Sequence, residues 1–142
     1  GFSLAVKYLG GTVSFDYGEP IHAVGVTLSP AAAEDRLLEG IPHTFTAFVG
    51  HKEGAITVPH GAIELARSTT CAQMLRIGKN VYATQFHPEL DLPGLVLRIR
   101  IYQHAGYFDP GEMDEIISSV SQSDVPYPQL ILQNYFSAYR QY

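Results

Sequence analysis

The stretch VYATQFHPELD, from Val81 to Asp91, joins a short apolar run to a histidine, a proline and a glutamate. The apolar part predicts a strand, and the residues after Glu89 are typical of a helix start. Between the two, Pro88 fixes its own φ and biases His87 away from the helical region. Because side chains two residues apart in an extended backbone point to the same side, we expect His87 and Glu89 to lie together.

An imidazole beside a carboxylate is the arrangement of a general base and the group that orients it. The carboxylate can select the ring tautomer and stabilise the protonated ring, as the third member does in a nucleophile–base–orienter triad. The position fits as well, because open α/β sheets place their sites at the carboxyl ends of strands. Two alternatives stay open: a solvated turn, and a zinc site, which would need further ligands around the pair.

The composition predicts one domain with a hydrophobic core and excludes several classes of function. Of the 142 residues, 46% are hydrophobic and 16% are charged, so the chain is neither disordered nor fibrous. The formal net charge is -5, and without a long Lys/Arg run the chain lacks the charge pattern of a nucleic-acid-binding protein. No apolar run in the sequence is long enough to predict a membrane span.

The chain contains a single cysteine, Cys71, which excludes an internal disulfide framework and a multi-cysteine zinc site. A reducing, cytoplasmic location is the simplest interpretation. Cys71 lies in STTCAQML between two predicted strands, and no cation flanks it to lower its pKa from about 8.5. Free cysteine is commonly a small buried hydrophobe, so we predict a structural role and not that of a nucleophile.

Strand patterns dominate the middle of the chain, and helical patterns dominate its end. Apolar residues recur at helical spacing before Gly10-Gly11, which predicts a first helix. The predicted strands are TVSFD, HAVGVTL, HTFTAFVG, IELARST, AQMLRI and VYATQF. Ser29 and Pro30 predict the start of a helix through AAAEDRLLEG. Three more helices are predicted, on residues 95–102, on GEMDEIISSVSQ and on PQLILQNYFSAYRQY. This order favours the α/β class.

The segment QFHPE, Gln85 to Glu89, resembles the motif that completes the active site of class I glutamine amidotransferase domains. Three further segments are similar to the family in the same order: GFSLAVKYLGGTVSF, GEPIHAVGVTLSP and LLEGIPHTFTAFVGHKEGAITVPHGAIELARST. The resemblance covers almost the whole chain, and the tail is most similar to relatives of the glutaminase part of GMP synthase. It implies an α/β, flavodoxin-like fold, an open mixed sheet flanked by helices.

The resemblance implies that glutamine is hydrolysed by a Cys-His-Glu triad whose last two members are His87 and Glu89. It places the nucleophilic cysteine about two residues before Gly1. Residues 1–142 would then be the C-terminal part of one glutaminase domain, inactive alone, with the missing N-terminal half as a partner. The resemblance also implies that Gly1 and His51 contact the substrate, although a loop-ordering role for His51 is an equal alternative.

The expected partners are glutamine and a synthetase domain or subunit that accepts ammonia. The glutaminase step implies no metal and no organic cofactor. Two other functions stay open: a non-catalytic interaction module, and a γ-glutamyl peptide hydrolase. A cysteine two residues before Gly1 would support an enzyme, and ammonia release from free glutamine would separate the two reactions.

Overall fold

A five-stranded sheet with helices packed on both faces forms the centre of the computed structural model, which describes residues 1–140. The strands are β1 (Glu19–Leu28), β2 (Thr44–His51), β3 (Ala62–Arg67), β4 (Ala72–Ile77) and β5 (Val81–Thr84). The α-helices are α1 (Phe2–Tyr8), α2 (Leu92–Ile101), α3 (Met113–Val120) and α4 (Pro128–Tyr139).

The strands run in the order β2-β1-β3-β4-β5, and each pairing is antiparallel. The long pair is β1 with β2, where Val24 lies opposite Ala47. Strands β4 and β5 form a hairpin, which Gly78-Lys79-Asn80 between them predicts from the sequence. Gly78 in the turn has φ 61, a left-handed conformation that favours glycine. The α/β class is confirmed, and within the described residues the sheet is antiparallel where a mixed sheet was predicted.

Alternating side chains of the strands supply the cores on the two faces. In β2, Ala47 and Val49 join the core that Ile131 of α4 covers, whereas Phe48 joins Leu95 of α2 on the other face. A smaller cluster holds α1 against β4 and contains Phe2, Val6, Ala55, Ala72 and Leu75. Each helix therefore buries one side on a face of the sheet.

The segment after β5 connects the two edge strands of the sheet. The backbone N–H of Gln85 donates to the carbonyl of Gln73 in β4 at 2.8 Å, which prolongs the β4–β5 pairing. Two residues later the N–H of His87 donates to the carbonyl of Phe48 in β2 at 3.0 Å. Between them Phe86 is buried and meets Phe45 edge to face, with ring centroids 5.8 Å apart. These contacts curl the sheet and fix where residues 87–89 emerge.

Helix α2 begins directly behind this segment, as predicted. The Asp91 side chain accepts from the N–H of Gly94 at 2.8 Å and caps the helix. The predicted helices near residues 111–122 and from residue 128 are confirmed as α3 and α4; the last two residues of the latter prediction lie outside the described residues. Within residues 1–140, none of the helices has both the length and the apolar character needed to cross a bilayer.

Two predicted elements were wrong. In place of a strand on TVSFD, Phe15–Tyr17 forms a 3-10 helix, because the Ser14 side chain accepts from the N–H of Asp16 at 3.1 Å and caps a turn. In place of one α-helix on AAAEDRLLEG, the structure has two 3-10 helices, Pro30–Glu34 and Arg36–Leu38. The break is at Asp35, whose buried carboxylate pairs with Arg76 at 2.7 Å and caps the second turn.

We expect the Phe86→Ala variant to lose about 3–5 kcal/mol of unfolding free energy, because it leaves a cavity where the two sheet edges meet. The matched control is Phe136→Ala, since Phe136 is 61% exposed and Phe86 only 1%; it should change stability by about 0.5 kcal/mol or less. Urea denaturation of both variants measures the difference. Equal losses would show that Phe86 does not hold the edges together.

Candidate active site

His87 and Glu89 form a close pair at the mouth of the curled sheet. His87 Nδ1 lies 2.8 Å from Glu89 Oε1, which is the contact predicted from the proline between them. The backbone of His87 is tied to β2 on one side, and its carbonyl accepts from the N–H of Leu90 at 3.3 Å on the other. Both side chains stay partly exposed, 34% for His87 and 47% for Glu89, so the pair is open to a reactant.

The contact selects one tautomer of the imidazole. An ionised carboxylate can only accept hydrogen bonds, so the proton between the two side chains resides on His87 Nδ1. The lone pair of the neutral ring is then on Nε2, which is the atom available to take a proton from a nucleophile. The pair therefore has the chemistry of a general base and its orienting carboxylate.

Glu89 is held in the ionised form that this role requires. Partial burial acts to raise the pKa of Glu89, but its own backbone N–H, the hydrogen bond from His87 and the charges of His87 and Arg98 together lower it. The net direction is downward, so the carboxylate persists to lower pH than in an ordinary glutamate. Loss of orientation by protonation of Glu89 is thus confined to acid solution.

Arg98 of α2 is a third member of this cluster, and the sequence reasoning missed it. Its Nη1 lies 3.4 Å from Glu89 Oε1 and 3.2 Å from His87 Nδ1. A guanidinium only donates, and His87 Nδ1 already donates to Glu89, so Arg98 acts on the carboxylate and not on the ring. The sequence does contain a feature that could have identified Arg98. It is a basic residue on the predicted helix that directly follows the pair, and it neighbours Ile99, which the helix buries.

A pocket of about 210 Å³ opens beside His87. Its walls come from β1, β2, α2 and the segment after α2, and they are mainly apolar; the lining residues include Ile21, Val49, Leu95, Ile99 and Tyr107. The charged or basic side chains of the lining are His87 and Arg98. A polar molecule in this pocket would therefore be oriented by these two groups at its edge.

The two predicted substrate residues make their hydrogen bonds with other groups than the pair. His51 ends β2, with Nδ1 3.0 Å from the carbonyl of Glu53 and Nε2 2.8 Å from Glu19 Oε2. Both ring nitrogens are thus engaged inside the protein, which matches the loop-ordering alternative. Gly1 is exposed before α1, and its carbonyl accepts from the N–H of Ala5 at 3.0 Å. Within residues 1–140, no hydrogen bond joins either residue to His87.

Cys71 has the surroundings of a structural residue. Its side chain is buried, and burial together with the charge of Glu19 raises its pKa to about 12. The nucleophilic form of cysteine is the thiolate, which such surroundings disfavour near neutral pH. The environment agrees with the prediction that Cys71 is not a nucleophile.

The model of the family described as "Glutamine amidotransferase class-I" matches residues 1–93, about two thirds of the chain and inclusive of the His87–Glu89 pair. The chain belongs to the class I glutamine amidotransferase family. The resemblance of QFHPE and the segments before it to that family is thereby confirmed. The match ends within the first turn of α2, so Arg98 lies beyond it.

The curated relatives of this amidotransferase chain include archaeal GMP synthase subunits whose names carry the words "glutamine-hydrolyzing". The Methanococcus maripaludis (strain C5) protein is 30% identical over 92 residues, which are 63% of this chain and 47% of that protein. The Archaeoglobus fulgidus protein is 32% identical over 92 residues, 63% of this chain and 49% of its own length. The chain thus spans about half the length of these relatives.

Solved amidotransferase structures share the fold. A glutamine amidotransferase from Thermotoga maritima superposes with a TM-score of 0.77 over all of this chain and 60% of that chain, at 17% identity. A glutamine amidotransferase from Methylobacillus flagellatus gives a TM-score of 0.63 over 96% of this chain and 59% of that chain, at 18% identity. At such identities the likeness concerns the fold alone.

We expect Arg98→Met to raise the pKa of Glu89, because the substitution removes a positive charge 3.4 Å from its carboxylate oxygen. The shift is measured by following the side-chain carboxyl carbon of Glu89 by NMR during a pH titration. The control is Arg100→Met, which removes the same charge from an exposed position on the same helix. Identical Glu89 titrations in the wild type and in Arg98→Met would show that the guanidinium does not act on the carboxylate.

Proposed function

We propose that this chain supplies the histidine and the glutamate of a Cys-His-Glu triad that hydrolyses the side-chain amide of glutamine. The observation that carries the proposal is the 2.8 Å contact between His87 Nδ1 and Glu89 Oε1, since it leaves Nε2 as the base. Membership of the amidotransferase family supports the substrate, and the relatives whose names include "glutamine-hydrolyzing" support the reaction.

The proposed reaction uses His87 twice. His87 Nε2 takes the proton of a cysteine thiol, and the thiolate attacks the carboxamide carbon of glutamine. The imidazolium, stabilised by Glu89, then gives the proton to the departing nitrogen. Ammonia departs, and the cysteine is left as a thioester with the glutamyl group. Water, deprotonated by the same nitrogen, attacks the thioester and releases glutamate with the thiol restored.

The cysteine of the proposed triad is not Cys71. Cys71 is buried, its thiolate is disfavoured, and it is the sole cysteine among the 142 residues. The proposal therefore assigns the nucleophile to a cysteine that is not among these 142 residues and that belongs to the same glutaminase domain. Arg98 serves it as a positioning residue, because it contacts the carboxylate that orients the base.

The ammonia is proposed to pass to a synthetase domain or to a separate synthetase protein. This step is supported by the relatives whose names describe one of the subunits of GMP synthase, which implies a second subunit in those proteins. A cytoplasmic location is part of the proposal and is supported by the free thiol of Cys71. The proposed reaction uses no nucleic acid, no membrane and no organic cofactor.

In the complete enzyme, we expect His87→Ala to lower glutamine hydrolysis by about 10³–10⁴-fold and Glu89→Gln by about 10²-fold. The first variant removes the base, whereas the second keeps a side chain that partly orients it. Ammonia release from glutamine measures both losses. Synthesis from added ammonia should persist in both variants, because that step does not use the base.

The result that contradicts the triad is a His87→Ala enzyme that releases ammonia at the wild-type rate. Faster turnover of γ-glutamyl peptides than of free glutamine by the wild type would instead assign the pair to peptide hydrolysis. His60→Ala is the matched control, since His60 is an exposed histidine of the same chain and its loss should leave both activities unchanged.

A further inference from the structure

A second cluster of reactive side chains lies in the interior, and among the described residues it shares no hydrogen bond with the side chain of His87. Glu19 at the start of β1 faces His51 at the end of β2, and Cys71 and Gln73 reach them from the start of β4. Glu19 is 5% exposed, Cys71 1% and Gln73 0%. Because a buried carboxylate is costly unless its charge is compensated, this cluster calls for a partner of opposite charge.

The cluster is compact enough to share one ion. Glu19 Oε2 lies 2.8 Å from His51 Nε2 and 3.7 Å from Cys71 Sγ. One donor atom each of Glu19, His51 and Cys71 falls within 4.8 Å of the other two. The backbone of Gly54 packs directly on Cys71, since a Cβ at that position would stand 3.0 Å from Cys71 Sγ.

The orientation of His51 presents a lone pair to the cluster. A carbonyl oxygen only accepts, so the contact with the carbonyl of Glu53 at 3.0 Å places a proton on His51 Nδ1. In the neutral ring, Nε2 then faces the carboxylate of Glu19, and a proton or a metal ion has to lie between them. A ring N–H donated to a backbone carbonyl is the usual second contact of a metal-binding histidine.

Unpartnered oxygens at the same place distinguish a metal from a proton. Glu19 Oε1 and Gln73 Oε1 are buried without a hydrogen-bond partner among the described residues. The amide of Gln73 belongs to the cluster, because its Nε2 lies 2.6 Å from Glu19 Oε2 and 3.2 Å from Ser68 Oγ. A single proton between His51 and Glu19 leaves Glu19 Oε1 without a partner, whereas a bound cation compensates the whole carboxylate of Glu19.

We propose that Glu19, His51 and Cys71 bind one Zn²⁺ ion. A carboxylate, an imidazole and a thiolate are all zinc ligands, and a thiolate selects zinc over magnesium or calcium. The charges of Glu19 and of the Cys71 thiolate balance the ion, so the buried site becomes neutral. A water molecule takes the fourth position.

The proposed ion has a structural role. It joins the start of β1, the end of β2 and the turn before β4, three places that are distant in the chain, and its site is closed to solvent. Binding displaces the thiol proton of Cys71, so zinc affinity rises with pH. The sequence predicted no metal site, because Glu19 lies 32 residues from His51 and 52 from Cys71, with no local motif.

Cobalt titration of the untagged full chain, stripped of metal with a chelator, tests the proposal. We expect one equivalent of Co²⁺ to bind with a near-ultraviolet thiolate-to-cobalt band and the visible bands of a tetrahedral site, both abolished by Zn²⁺. Cys71→Ser should remove the thiolate band, and His51→Gln should weaken binding by at least about tenfold. His60→Gln, at an exposed histidine, should change neither.

Absence of the thiolate band in the wild type would overturn the proposal, and so would a band that survives in Cys71→Ser. X-ray absorption of the zinc-bound wild type keeps the test valid if a variant fails to fold. Because the chain has one cysteine, one sulfur neighbour at about 2.3 Å assigns Cys71 as a ligand. A shell of nitrogen and oxygen alone would exclude it. Neither readout depends on glutamine hydrolysis.

Discussion

The backbone hydrogen bond from His87 to the carbonyl of Phe48, 3.0 Å long, ties the chain leaving one edge strand to the strand at the other edge. With Phe86 buried beside it, this bond curls the sheet and closes its core. It also decides where the next residues emerge. Catalytic groups need geometry fixed within a fraction of an ångström, and here that geometry is set by the same contacts that complete the core.

The candidate site is assembled from elements on each side of that bond. Pro88 keeps the chain extended long enough for Glu89 to reach the ring of His87, and Asp91 then caps α2. The helix brings Arg98 back over the pair. One short segment thus provides the proposed base and its proposed orienting carboxylate, and the following helix provides the positive charge beside that carboxylate.

The sequence was most informative where short-range chemistry decides the structure. The β4–β5 hairpin, the helix after Asp91 and the contact of His87 with Glu89 all follow from residues within a few positions of each other. The failures have long-range causes. Asp35 broke a predicted helix because its carboxylate pairs with Arg76, 41 residues away, and the meeting of Glu19, His51 and Cys71 depends on strand pairing that no local pattern contains.

The proposed catalysis depends on one tautomer, a His87 ring with its proton on Nδ1 and its lone pair on Nε2. NMR of the ring nitrogens in the uniformly ¹⁵N-labelled protein measures this directly at a pH where the ring is neutral. We predict a protonated Nδ1 coupled to a proton that is shifted downfield by the Glu89 carboxylate, and an unprotonated Nε2. A ring protonated on Nε2 with a free Nδ1 would contradict the triad, because Glu89 would then orient nothing.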